Sequence, residues 1–145
     1  MFNNIFSKAS GALTPDKKVG IEGLVRTHGI TYDDNTLVLT DVGDATSDTD
    51  GGIVVIENWS ATFSATVDGG IVPLANQKRI YGTNTMLGNP VDVAFDEDTN
   101  KIYVAERLNG GGRILTFDYP SGGQTNPTPA SSRLEAGATA VYLRD

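Results

Sequence analysis

Apolar and polar positions alternate from Val91 to Phe95, with Val91, Val93 and Phe95 set against Asp92 and Ala94, the period of a half-buried strand. Asp96 to Asn100 is a polar turn whose short side chains hydrogen-bond nearby backbone. Ile102 to Ala105 is a continuous apolar run with β-branched and aromatic members, predicting a strand buried on both faces. Asn109-Gly110-Gly111-Gly112 supplies residues that accept positive φ in a tight hairpin. Arg113 to Asp118 returns as a third strand, which Pro120 stops. The stretch predicts an antiparallel meander.

An earlier part of the chain repeats this pattern. HGITYDDNTLVLTD (28–41) matches VDVAFDEDTNKIYVAE (91–106), and GGIVVIENW (51–59) matches GRILTFDYP (112–120). Matched positions lie roughly 60 residues apart, a spacing suited to repeats made of four-stranded sheets. The copies differ chiefly in one turn, which in the first is a long acidic loop, Asp41 to Gly52. Gln77 to Gly82 is the expected fourth, outer strand of the first copy, its charges suited to an exposed edge. Ser60 to Val67 is a weaker strand candidate. Ala138 to Leu143 reads as the first strand of a third copy. The expected organisation is an N-terminal arm (1–20), which docks through Phe2 and Phe6, a first repeat (21–82), a second repeat (83–132), and a third repeat or closing strand from 133 to 145.

The repeated pattern is small-x-apolar-x-aromatic-Asp, a polar turn, apolar-Tyr-Val-Ala-acidic, then Gly-Arg-Ile. It resembles blades of NHL-type β-propellers and of the gluconolactonase and regucalcin group. It is also similar to uncharacterised bacterial propeller-like proteins built from HGITY and NPVDVA repeats. The resemblance covers roughly residues 24–120 and implies an all-β fold of antiparallel four-stranded blades, about two of them with the start of a third. Such a chain is part of a longer propeller, self-associates to complete one, or closes its sheets as a compact sandwich, because repeat units bury their faces only against neighbours.

Composition narrows the function classes. Seventeen glycines and six prolines between short strand-like runs favour all-β structure. With no cysteine, disulfides and thiolate metal sites are excluded. A formal charge of −7 argues against nucleic acid as partner. No apolar run approaches the ~18 residues of a membrane-spanning helix, so no such insertion is expected. Met1 to Leu13 lacks the form of a signal peptide, and a secreted or periplasmic location would require an export signal removed from this sequence.

Three groups of residues carry candidate chemistry. The first is the acidic loop, where Asp41, Asp44, Asp48 and Asp50 offer oxygens to Ca²⁺ or another divalent cation. Aligned on Gly51, Asp48, Asp50 and Glu57 take the third, fifth and twelfth places of an EF-hand loop. Thr46 takes the first place and a strand follows, so the loop is not an EF-hand. The competing reading is a solvated Asp/Ser/Thr/Gly hairpin. The resemblance to the gluconolactonase group adds His28, the only histidine, because an Asn beginning the same strand motif is a metal ligand there. The plain alternative is a strand-start histidine bonded to backbone.

The second group is Asp92 and Glu106, which are candidates for acid–base work if close and desolvated, and otherwise cap turns or pair with Arg107 or Arg113. The third is Trp59 and Tyr119, just past third-strand ends. They either face a carbohydrate or protein ligand or pack in the core. Two functions follow: a binding or assembly module, or a metal-dependent hydrolase of lactonase type using His28 with Asp41 or Asp44 and a base at Glu106 or Asp92.

Overall fold

The computed structural model describes residues 1–144. In chain order the elements are β1 (Gly20–Ile21), β2 (Thr27–Asp33), β3 (Thr36–Asp41), β4 (Gly52–Ile56), α1 (Trp59–Ala65), β5 (Ile71–Val72), β6 (Lys78–Tyr81), β7 (Pro90–Asp96), β8 (Lys101–Glu106), β9 (Arg113–Asp118), β10 (Gln124–Thr125) and β11 (Ser131–Leu134). The fold is mostly β with one short helix. One sheet has the order β10-β6-β4-β3-β2, antiparallel except for the parallel β10–β6 pair. A second, fully antiparallel sheet has the order β11-β9-β8-β7. A parallel β1–β5 pair completes three open sheets. No propeller ring closes among the described residues.

The two large sheets are built alike to the level of single hydrogen bonds. Each first hairpin opens with a bulge, between Thr27 and Ile30 in one and between Pro90 and Asp92 in the other. In the first hairpin turns, Asp34 and Asn35, and at the matching place Asn100, adopt positive φ. Trp59 donates its N–H to Asn35 O at 2.8 Å, and Tyr119 donates to Asn100 O at 3.0 Å. Val42 N–H reaches Arg26 O at 2.8 Å, as Arg107 N–H reaches Asn89 O at 3.1 Å. The turn chemistry predicted for both copies therefore produces the same backbone path twice.

The sheets stack face to face. Val38, Ile53, Val55 and Ile80 of the first sheet meet Val93, Phe95, Ile102, Val104, Leu115 and Phe117 of the second in one buried cluster. The opposite face of the first sheet carries Leu37, Leu39, Val54 and Ile56, packed with Val72, Ile21, Leu24 and Trp59. The opposite face of the second sheet buries Val91 and Ala105 with Ala138. Because β3 and β4 are covered on both faces, every residue in them is buried, which explains their near-continuous apolar run.

Inner strands β2 and β7 approach so closely that Gly29 has no room for a side chain. A Cβ there would stand 2.6 Å from Asp92 Cα. Gly29→Ala is expected to push the sheets apart and cost about 1–3 kcal/mol, read as a lowered urea midpoint. An unchanged midpoint would contradict this packing.

Three local expectations are corrected. The span 60–67 does not form a strand but lies largely in α1, because Trp59 and Ser60 N–H groups are pinned by Asn35 and Trp59 packs on Phe63, four residues on, at 5.3 Å. The alternation of SATFSATV concealed that pair. The predicted outer strand forms as β6, but it is not an exposed edge. β10 pairs alongside it, and Arg79 is buried with its guanidinium donating to Glu22 O, Gly23 O and Gln77 Oε1. Ala138 to Leu143 forms no strand. The segment runs along β7, with Val141 N–H donating to Asp92 Oδ2 at 3.0 Å. The fourth strand of the second sheet is instead β11.

Candidate functional site

The acidic residues of interest prove to be anchored by backbone. Glu106 is wholly buried, and its carboxylate accepts four N–H groups, from Gly88 and Asn89 before β7 and from Leu108 and Asn109 after β8, at 2.7–3.0 Å. At the matching place Asp41 is 1% exposed. It accepts Val25 and Arg26 N–H before β2, Gly43 N–H after β3, and the Tyr81 hydroxyl at 2.9 Å. Each carboxylate thus ties the loop entering its hairpin to the loop leaving it. Such a group neutralises several buried donors at once, a structural task that uses its lone pairs. Burial, and secondly the Asp41 charge, raises the Tyr81 phenol far above its ordinary pKa.

The rest of the acidic loop is folded onto the second repeat. Gly51 N–H donates to Leu87 O at 2.9 Å, and Asn109 Nδ2 donates to Asp48 O at 2.8 Å. Within the loop, Asp50 Oδ2 accepts Asp44 N–H, and Asp44 Oδ1 accepts the N–H and hydroxyl of Thr46. Those Thr46 bonds hold the Asp44 carboxyl below its usual range. His28 Nδ1 lies 2.9 Å from Val91 O, a contact that places the proton on Nδ1. Asp92 is engaged with Val141. Among the described residues no three His, Asp or Glu side chains gather to hold a metal ion.

A different acidic group forms where the first hairpin turns of the two repeats lie side by side. Local desolvation by the neighbouring turn, then the charges of Asp34, Asp33 and Asp98, raises the pKa of the exposed Glu97 above its ordinary value. A raised carboxyl favours the folded state below that pKa and opposes it above. Glu97→Gln is therefore expected to raise the melting temperature at pH 7, the gain shrinking as the pH is lowered and the carboxyl protonates. A gain that persists at the lower pH would contradict the cause given.

The aromatic candidates part company. Tyr119 packs on Phe95 at 5.3 Å, donates its hydroxyl to Glu57 at 3.0 Å and carries Lys78 over its ring, so it belongs to the seam between the sheets. Burial, and then Glu57, raises its pKa, while Lys78 lowers that of Glu57. Trp59 instead lines an apolar groove of about 770 Å³ between the N-terminal arm and the outer face of the first sheet. Phe2, Ile21, Leu24, Ile30 and Phe63 share its wall, and Lys17 and Lys18 stand among its residues. Phe2 of the arm reaches this groove, whereas Phe6 is fully exposed.

Ile30 and the neighbouring Tyr32 are 62% and 55% exposed, large apolar surface on a strand whose partners are buried. Both were legible as strand residues. Their exposure was not, since it depends on what covers the sheet. Comparison with protein-family models, with curated proteins and with solved structures finds no match to this chain.

Proposed function

We propose that the chain is a non-enzymatic binding or assembly module made of two propeller-like blades, acting through the apolar groove beside Trp59. The observation that carries this reading is the groove itself: about 770 Å³, lined by Trp59, Phe63 and Ile30 on the outer face of a rigid sheet. Exposed apolar surface rimmed by polar residues marks interaction sites. The blade reading draws on the matched hairpins, on inner strands β2 and β7 lying side by side, and on the face-to-face stacking of the two sheets. Against a metal-dependent hydrolase stand the commitments of its required residues. Asp41 and Glu106 bind backbone N–H groups, and Asp92 holds the segment after residue 138.

The test uses the single tryptophan as reporter. An apolar naphthalene dye added to dilute protein should bind the folded chain and quench Trp59 emission by energy transfer. Absence of dye binding together with unaltered Trp59 emission would overturn the reading.

A further inference from the structure

The two repeats share a register, so each face of one sheet has a counterpart in the other. Ile30 pairs with Leu39, and Val93 with Val104; Tyr32 pairs with Leu37, and Phe95 with Ile102. Leu39 pairs with Val54, and Val104 with Leu115; Leu37 pairs with Ile56, and Ile102 with Phe117. The face formed by Ile30, Tyr32, Leu37, Leu39, Val54 and Ile56 is thus the positional equal of the face that the second repeat buries against the first. In the second repeat all six positions are at most 8% exposed. In the first, the β3 and β4 residues are covered, but the two on β2 stand open.

The molecule itself shows what packs on such a face: the opposite face of another repeat. Val93 and Phe95 are buried against the inward face of the first sheet. By the same relation Ile30 and Tyr32 would receive the far face of a second repeat, and within one chain that face points away from them. It is flanked by the segment from Ala138, which lies along β7 through the Asp92–Val141 bond, as β7 lies along β2 through the Val91–His28 contact. On that segment Tyr142 is 88% exposed.

Charge favours the same pairing. Lys17 and Lys18 stand among the groove residues, while Lys8 is paired with Asp16. Asp92 and Asp96 lie on the far face of the second sheet, where Lys101 is paired with Asp118.

From this register we infer that the groove beside Ile30 and Trp59 takes a second copy of this chain, docked by the far side of its second repeat with Tyr142 at the contact. This rests on the binding-module reading and names its partner. The contact is heterologous, so successive copies add head to tail and close as a ring or continue as a filament.

Sedimentation velocity across a hundredfold concentration range, with the dye titration run alongside, tests it. The full chain should sediment at a multiple of 15.3 kDa and compete with the dye for the groove. Ile30→Asp and Tyr142→Asp change exposed residues, keep the melting temperature, and should each sediment as a monomer. Mixed in equal amounts, they retain one intact junction and should form a dimer. If Ile30→Asp dissociates the assembly and Tyr142→Asp does not, the partner surface is another one and the inference is overturned. A wild-type monomer at every concentration also overturns it. Dye binding by that monomer would leave the binding reading standing, and no dye binding would remove both.

Discussion

Phe117→Ala is expected to destabilise the chain by about 3–5 kcal/mol, the largest single effect among the apolar positions. Phe117 is 1% exposed and sits in the cluster that joins the two sheets, with Phe95, Ile102 and Ile53. Truncation removes a ring that both sheets touch, and close-packed strands cannot collapse to fill the space. Because the residue stands at the junction of the repeats, the loss should appear in a single unfolding transition common to both. Urea unfolding followed by Trp59 emission, which reports the first sheet, and by far-ultraviolet circular dichroism, which reports both, checks this. Two separated transitions, or a loss below about 1 kcal/mol, would show that the sheets are not mutually dependent.

Glu106→Gln should cost about 2–4 kcal/mol, although it changes one atom. Both carboxylate oxygens accept N–H groups, so the amide of glutamine must present a donor to donors already in place. Asp41→Asn should act in the same direction. Its effect should be smaller, because one of its four donors is the Tyr81 hydroxyl, which can rotate to accept from an amide, whereas all four donors on Glu106 are fixed N–H groups. A catalytic Glu106 would give the opposite pattern, as removal of an active-site carboxylate often leaves stability unchanged or improved. Thermal melts of the two variants therefore separate a structural carboxylate from a catalytic one. A Glu106→Gln melt equal to wild type would contradict the staple role.

Much of the scaffold was legible in the residues. Period-two alternation placed β7, an apolar run placed β8, and the match between the copies placed β3 and β4. The Asp-Asn turns and the Asn109–Gly112 hairpin marked where those strands reverse, and the positive φ values at Asn35, Asn100 and Gly110 are the physical reason. The matched sequences foretold the matched hydrogen bonds. What failed was decided by tertiary contact. Ser60 to Val67 read as a weak strand, but Phe63 packs on Trp59, four residues back, against the covered face of the first sheet. β11 carries Ser131, Ser132 and Arg133, residues with no strand pattern, and forms by pairing with β9.

The site was less legible than the scaffold, for a related reason. Asp41 and Glu106 were visible as matched acidic positions, but only the fold shows that each faces a ring of N–H donors. Trp59 was visible as an aromatic beyond a strand end. The groove it lines requires the arm, α1 and β2 together, and no local pattern encodes that meeting.

The claim that groove and staples have separate duties is tested most directly by dye titration of Ile30→Asp in dilute solution, with its melting temperature measured on the same sample. Ile30 is 62% exposed, so the variant should keep a melting temperature close to wild type and lose the dye signal at Trp59. An unchanged dye signal in that folded variant would contradict it.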